Sequence, residues 1–193
     1  MEATTAMKIL VVGGPSVGKS SLINQFVGTK GDHTQLRQTT FFTSKEKAVA
    51  PVRTVMLNTR NVTSEVSFEE KVLFGDTAPT NPEELAQCDG VFLVFDQARQ
   101  KSFLALPNQL KQLRQVFAHR ERQPLVILAA NKQDLTRKDV DAGSVKNFAT
   151  ANALPFVYTS AKAAINTQSA LMMMTSMLSQ RVVTTPLALD IAR

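Results

Sequence analysis

Several classes of protein are excluded by what this sequence lacks. Its 193 residues include a single cysteine, Cys88, which excludes an internal disulfide framework and fits a reducing compartment such as the cytosol. No stretch approaches the roughly 20 apolar residues that a membrane helix needs. Residues 1–8 contain no charged region that leads into a long apolar run, so we expect no signal peptide. The sequence also has no cluster of histidine and cysteine that would hold a metal ion by itself.

The composition is that of an ordinary globular domain, with 44% hydrophobic and 20% charged residues. The net charge of +6 permits an acidic partner without identifying one. Basic residues gather in one stretch, which could line a nucleic-acid groove or form the solvated face of a helix. We favour the solvated face, and expect no nucleic-acid partner, because no RNA-binding motif or interleaved aromatic residues accompany them. A third interpretation, between these two, is that the basic stretch binds an acidic partner protein. The basic residues are Arg99, Lys101, Lys111, Arg114, Arg120 and Arg122.

Strand patterns alternate with helix patterns along the chain. Short apolar runs predict strands that are covered on both faces, at residues 8–12, 91–95, 125–130 and 155–158. Two longer strands are predicted at residues 45–57 and 65–75, joined by a polar turn. Helices are predicted at residues 20–27, 102–119, 141–152 and 165–181. This alternation predicts an α/β fold with a doubly wound, mostly parallel six-stranded sheet that is flanked by helices.

A glycine-rich loop lies between the first predicted strand and the first helix. Its sequence Gly13-Gly-Pro-Ser-Val-Gly18-Lys19-Ser20 matches the phosphate-loop pattern G-x-x-x-x-G-K-[ST]. Loop amides and the helix N-terminus should face the β-phosphate, Lys19 should reach the β- and γ-phosphates, and the Ser20 hydroxyl should reach Mg²⁺. Pro15 has no N–H to contribute. The predicted phosphate-binding residues are Gly14, Pro15, Ser16, Val17, Gly18, Lys19 and Ser20.

Two further motifs follow predicted strands. Asn131-Lys-Gln-Asp134 comes after the strand at 125–130, and Thr159-Ser-Ala-Lys162 comes after the strand at 155–158. With the phosphate loop, and in this order, they resemble the N-K-x-D and S-A-K motifs of small GTPases of the Ras superfamily. The resemblance spans residues 7–181 as one small G domain, with an extension at residues 1–6 and a loosely ordered tail at residues 182–193.

This resemblance implies a binding site for GTP and GDP with Mg²⁺. The Asp134 carboxylate would accept hydrogen bonds from the guanine N1–H and N2 amino group, which adenine does not offer in that geometry. Asn131 would tie the base pocket to the phosphate loop, the Lys132 stem would lie across the base, and the Ala161 amide would meet guanine O6. The implied guanine-binding residues are Asn131, Lys132, Asp134, Ser160, Ala161 and Lys162.

The first switch of a small GTPase supplies a threonine that binds Mg²⁺. Thr39 and Thr40 both lie close to the family spacing from Ser20, in an unfamiliar context, and we prefer Thr40. The aromatic residue that often stacks on guanine is missing here, and His33 alone could substitute for it.

The second switch departs further from the family pattern. Gly75-Asp76-Thr77-Ala78 resembles the start of D-T-A-G-Q, so Asp76 should help to hold Mg²⁺. Pro79 and Thr80 then replace the Gly that senses the γ-phosphate and the Gln that orients the attacking water. No residue is a firm catalytic candidate, although Thr80 occupies the position of the Gln. We expect slow hydrolysis at best, and GDP and GTP states that differ little.

The end of the sequence carries no prenylation motif, so we expect no direct lipid anchor. Short stretches at residues 47–52, 119–122 and 148–154 resemble the intraflagellar-transport Rab-like GTPases, a group within the divergent Rab-like proteins. The resemblance implies a regulatory or structural subunit of a larger protein complex in intracellular transport. Its expected location is the cytoplasm, with the cilium or flagellum as the specific site. The alternative is a pseudo-GTPase scaffold that does not switch.

Overall fold

Six β-strands form one sheet in the computed structural model, which describes residues 5–28, 52–59, 62–72 and 87–183. The strands are β1 (Thr5–Gly13), β2 (Arg53–Thr59), β3 (Val62–Val72), β4 (Gly90–Asp96), β5 (Leu125–Asn131) and β6 (Phe156–Tyr158). Their order across the sheet is β2-β3-β1-β4-β5-β6. Among the six strands that the structure describes, β2 and β3 pair in antiparallel fashion and the other neighbouring pairs are parallel. The predicted doubly wound α/β fold is therefore confirmed.

Helices cover both faces of this sheet. They are α1 (Lys19–Gly28), α2 (Gln100–Leu104), α3 (Leu106–Phe117), α4 (Ala142–Ala151) and α5 (Thr167–Val183). Strand β1 shows why both faces are apolar, because its successive side chains point to opposite sides. Ile9 and Val11 pack with residues of α1 and α5, whereas Leu10 and Val12 pack with residues of α3 and α4. The two cores explain why β1, β4 and β5 are nearly continuous apolar runs.

The helix that the sequence predicts over residues 102–119 is divided in the structure. Helix α2 ends at Leu104, and α3 begins at Leu106 with Pro107 in its first turn. Proline has no N–H to donate to the preceding turn, and its ring disfavours a continuous helix. The same residue is well suited to the first turn of a new helix.

The β2–β3 hairpin is tighter than the sequence predicts. The polar residues 58–64 were expected to form the turn, but Asn58 pairs with Thr63 and Leu57 pairs with Ser64 within the ladder. Backbone pairing continues through polar residues because it depends on main-chain groups rather than on apolar side chains. The outer parts of the two predicted strands, residues 45–51 and 73–75, lie outside the described residues.

Helix α5 lies against the start of β4. Gly90 begins that strand, and a Cβ atom there would overlap the sulfur of Met174 and touch Leu178. Met174 is fully buried, so the helix uses the space that a larger residue at position 90 would occupy. Among the helices in the described ranges, none combines the length and apolar character needed to cross a membrane.

Candidate functional site

The predicted nucleotide motifs meet at one edge of the sheet. Strands β1, β4, β5 and β6 are parallel, so the loops that follow them share the carboxyl edge. In open α/β sheets this is the edge where ligands bind. The structure brings together the phosphate loop, the residues 131–134 that follow β5, and the residues 160–162 that follow β6.

The phosphate loop needs glycine at its turn into α1. Gly18 has a φ of +97°, in a region that residues with a Cβ rarely adopt, and a Cβ there would also overlap the Asn131 amide. Ser16 has a φ of 57°. Helix α1 starts at Lys19, so its free N–H groups and positive dipole end lie at the loop. This arrangement suits the binding of an anion such as phosphate.

Lys19 is buried at the base of the loop. Its Nζ donates a hydrogen bond of 2.8 Å to the Gly14 carbonyl and lies 3.6 Å from the Glu70 carboxylate. Burial lowers the pKa of Lys19, and the Glu70 charge partly opposes that effect. Ser20 donates a hydrogen bond of 2.5 Å to the same carboxylate.

Asn131 connects the base motif to the phosphate loop. Its amide nitrogen donates a hydrogen bond of 2.9 Å to the Val17 carbonyl. Its amide oxygen accepts hydrogen bonds from the Ala161 N–H at 3.2 Å and the Thr159 hydroxyl at 3.3 Å. One side chain, 1% exposed, therefore joins three segments that are distant in the sequence.

Lys132 makes a second connection from the base motif to the phosphate loop and also contacts the end of β4. Its Nζ lies 2.7 Å from the Asp96 carboxylate at the end of β4 and donates a hydrogen bond of 3.1 Å to the Ser16 carbonyl. Arg99 donates a hydrogen bond of 3.3 Å to the Pro15 carbonyl. Thus the loop residue that has no N–H still contributes its carbonyl to the network.

Asp134 and Ser160 form the polar end of the expected guanine pocket. The Ser160 hydroxyl donates a hydrogen bond of 2.5 Å to the Asp134 carboxylate and accepts one of 3.0 Å from the Ala163 N–H. The Ser160 hydrogen bond is the main cause that lowers the pKa of Asp134, and the exposed Lys162 adds to it. The carboxylate is therefore ionised at neutral pH and can accept hydrogen bonds from a ligand.

Other predicted site residues lie outside the described residues. They are His33, Thr39, Thr40, Asp76 and Thr80, so both predicted switches remain sequence-based expectations. No group of three or more His, Cys, Asp or Glu side chains in the described part of the chain could hold a metal ion.

Two acidic residues of this edge were missed by the sequence reasoning. Asp96 could have been found, because it is a polar residue at the carboxyl end of an apolar strand that precedes a loop. Glu70 gave no such signal, since its contact with the phosphate loop depends on the register between β1 and β3, which pairs Val11 with Glu70.

A glycine-rich loop between a parallel strand and a helix, at the carboxyl edge of a doubly wound sheet, defines a P-loop nucleotide-binding protein. The family model described as "Ras family" matches residues 8–180, and the chain belongs to the Ras family. As a small GTPase of this family, it binds guanine nucleotide.

The chain is also similar to "Intraflagellar transport protein 27" of Chlamydomonas reinhardtii. The two are 35% identical over 167 residues, which cover 82% of this chain and 76% of the relative. The resemblance to Ras-superfamily small GTPases, and to the intraflagellar-transport group among them, is therefore confirmed.

Proposed function

We propose that this protein binds GDP and GTP with Mg²⁺, hydrolyses GTP slowly at best, and serves as a subunit of an intracellular transport complex. The observation that carries the nucleotide-binding part is the position of Asn131 between the Val17 carbonyl and the Ala161 N–H. These contacts set the spacing between the phosphate loop and the base pocket. Asp134, held by Ser160, then recognises the guanine N1–H and N2 amino group.

The residues of the phosphate loop fit a nucleotide with its metal ion. Lys19 is held at the loop by the Gly14 carbonyl and would neutralise phosphate charge. The Ser20 hydroxyl lies beside a carboxylate, and both groups are the oxygen ligands that Mg²⁺ prefers. The ion would offset the charge of the phosphate oxygens when bound. The motifs assign Thr40 and Asp76 to the same ion.

Slow hydrolysis follows from the sequence of the second switch. Pro79 has no N–H to hold the γ-phosphate, and Thr80 is shorter than the Gln that orients the attacking water in this family. An activating partner would then supply the missing group. The same two substitutions support the alternative, a pseudo-GTPase scaffold that binds nucleotide but does not switch.

The transport role rests on the similarity to "Intraflagellar transport protein 27", whose name assigns it to intraflagellar transport. We infer a cytoplasmic protein that works in the cilium or flagellum with a protein partner. Expression of a tagged chain in ciliated cells tests this. Enrichment in cilia and co-purification with transport subunits are expected, and uniform exclusion from cilia would contradict the proposal.

The guanine site is tested by the affinities of GDP, a slowly hydrolysed GTP analogue and an ATP analogue, measured by calorimetry with Mg²⁺. We expect micromolar or tighter binding of the guanine nucleotides and no binding of the ATP analogue. Asp134→Ala should abolish this preference, because a site that loses a matched hydrogen-bond partner discriminates orders of magnitude less well.

Asp139→Ala is the matched control. Asp139 follows in the same loop, is exposed, and contacts Arg137 at 3.3 Å, so its removal should leave both affinities unchanged. Absence of binding of any nucleotide to the wild-type chain would overturn the nucleotide-binding proposal. Equal affinity for GDP and the GTP analogue, with no hydrolysis, would favour the scaffold alternative.

A further inference from the structure

Asp96 is a buried carboxylate at the last position of β4. All seven residues of that strand are buried, and Asp96 itself is 3% exposed. Phe92 and Val94 belong to the core beneath α1, so the period of two places Asp96 next on that face, at the carboxyl edge of the sheet. A buried charge is costly unless it is paired, so the partners of Asp96 indicate what this residue does.

The two oxygens of Asp96 have different partners. Oδ1 accepts a hydrogen bond of 2.9 Å from the Ala98 N–H, within the turn that follows β4. Oδ2 accepts a hydrogen bond of 2.7 Å from the Lys132 ammonium and lies 3.9 Å from Arg99 Nε. Both cations reach solvent, with 30% of the Lys132 side chain and 46% of the Arg99 side chain exposed. One buried acid thus anchors two long side chains.

Both anchored cations also contact the phosphate loop, on its carbonyl side. Lys132 donates a hydrogen bond of 3.1 Å to the Ser16 carbonyl, and Arg99 donates one of 3.3 Å to the Pro15 carbonyl. In a trans peptide the C=O and the following N–H point in opposite directions. Contacts that hold these two carbonyls on one side therefore direct the N–H groups of Ser16 and Val17 to the other side. These N–H groups belong to the residues that the motif assigns to the phosphates.

The contact between Lys132 and Ser16 joins two residues with a left-handed backbone. Ser16 has a φ of 57° and Lys132 has a φ of 67°. Residues with a Cβ atom adopt this conformation at a cost, and it persists where the surrounding structure imposes it. The hydrogen bond from Lys132 to the Ser16 carbonyl, anchored by Asp96, is one such constraint. Loss of the anchor would let both segments relax from this conformation.

We propose that Asp96 is a positioning residue of the nucleotide site. It holds Lys132 and Arg99 against the carbonyl side of the phosphate loop, so that the loop N–H groups stay directed at the phosphates. This inference rests on the proposed binding of GDP and GTP. Asp96 acts through the two cations, and it slows the release of nucleotide because the loop keeps its binding conformation while the anchor is in place.

The test is the rate at which fluorescently labelled GDP leaves the full chain with excess Mg²⁺, after unlabelled GDP is added. Asp96→Asn keeps an oxygen for the Ala98 N–H but turns an NH₂ group towards Lys132, so the anchor is lost. We expect release to become about tenfold faster or more, the change that follows loss of a hydrogen bond to a charged group. Asp139→Asn is the matched control. Its exposed carboxylate contacts Arg137, so GDP should leave this variant at the wild-type rate.

Lys132→Met separates a positioning role from a merely structural one. Methionine keeps most of the apolar stem but has no ammonium, so this variant should also release GDP faster. The double variant should release GDP at about the rate of the single variants, because Asp96 then has only its looser contact with Arg99. If Asp96→Asn accelerates release by the same factor with and without Lys132→Met, Asp96 acts on the fold alone and the proposal is overturned.

Two other results would also overturn it. GDP release from Asp96→Asn at the wild-type rate shows that the anchor does not matter, and slower release shows that the carboxylate only repels phosphate. Thermal unfolding checks that each variant is folded. If Asp96→Asn does not fold, Arg99→Gln replaces it, because Arg99 is exposed and its loss changes no buried group. Faster release from Arg99→Gln supports the proposal, and a wild-type rate overturns it.

The proposed function and the role of Asp96 fail in different ways. If the wild-type protein binds no guanine nucleotide, the proposed function fails. If it binds GDP and the Asp96 variant releases GDP no faster, nucleotide binding stands and only the role of Asp96 is overturned.

Discussion

Asn131 illustrates how much of this site depends on one residue. Its amide supplies one donor and one acceptor group, and both are used within the protein. The donor satisfies the Val17 carbonyl and the acceptor satisfies the Ala161 N–H, so the side chain fixes loop geometry as well as the base pocket.

Replacement of Asn131 by alanine should therefore destabilise the protein as well as weaken GDP binding. The buried Val17 carbonyl and Ala161 N–H would each lose a partner, at a cost of about 1–3 kcal/mol per group. Urea unfolding at neutral pH measures the loss. Thr159→Val is the milder comparison, because its hydroxyl makes only the longer contact of 3.3 Å with Asn131. Equal stability of Asn131→Ala and the wild type would contradict this view of the network.

Cys88 lowers the free energy of unfolding of the chain at alkaline pH. The residue is buried, and burial raises the pKa of its thiol from 9.0 to about 12. The folded state therefore holds the proton more tightly than the unfolded state. The contribution of this thiol to the free energy of unfolding is complete below about pH 9 and is lost as the pH rises from 9 towards 12.

Comparison of Cys88→Ala with the wild type isolates this effect. Near pH 10 the wild type should have lost about 1.4 kcal/mol of its unfolding free energy through this thiol, one pKa unit above the unfolded value. The variant has no thiol at this position and should lose no unfolding free energy in this way. The difference in unfolding free energy between the two proteins, measured by urea titration, should therefore be smaller at pH 10 than at pH 7. A difference that is constant with pH would show that the thiol does not titrate as proposed.

At the scale of secondary-structure elements, the backbone conformation of the phosphate loop limits which residues it can contain. A substitution at Gly18 tests this directly. Gly18→Ala should reduce GDP affinity at least about tenfold and cost about 1–2 kcal/mol of stability. A Cβ at this position meets both an unfavourable φ of +97° and the Asn131 amide.

Gly14→Ala is the matched control in the same loop. A Cβ there meets only ordinary contacts, at 3.9 Å from Val17 and 4.0 Å from Gln109. Calorimetry with GDP and thermal unfolding should show a small effect for Gly14→Ala and a large one for Gly18→Ala. Similar effects of the two substitutions would show that the turn conformation does not govern binding.

The elements also show what the sequence could predict. Strands β1, β4 and β5 were predictable because both of their faces are buried, which leaves an apolar run between polar loops. The phosphate loop and the Asn131 motif were predictable because their chemistry requires fixed residues at fixed spacing. The division between α2 and α3 was not predicted, although Pro107 carried the signal for it. The Glu70 contact could not be predicted, since strand register depends on pairing between segments that are distant in the sequence.

At the scale of the whole molecule, the site joins the ends of four parallel strands. GTP differs from GDP by its γ-phosphate, so GTP can change the conformation of the protein only through segments that touch that phosphate. The sequence places Pro79 and Thr80 where the family motif has the glycine and the glutamine, and we interpret this as a second switch that lacks both groups. We therefore expect the GDP and GTP forms to be similar, with similar hydrogen exchange over the sheet and α5.

Single-turnover hydrolysis of GTP tests the catalytic consequence of the proposed loss. The wild type should be slow, and the double substitution Pro79→Gly with Thr80→Gln should raise the rate about tenfold or more, by restoring a group that orients water. Thr80→Ala should leave the rate unchanged, because threonine is too short to orient the water. Fast GTP hydrolysis by the wild type would contradict the expected slow rate. A strong decrease of the rate in Thr80→Ala would show that Thr80 does orient the water.

The close approach of Met174 to Gly90 determines how the chain responds to oxidants. A sulfoxide needs space for an added oxygen, and the Met174 sulfur already fills the space that a side chain at position 90 would take. Met172 and Met173, its neighbours in the sequence, are partly exposed and can be oxidised while the protein stays folded. Met174 can be oxidised only when α5 separates from β4. Its sulfoxide in an aged sample would therefore record how many molecules had opened there.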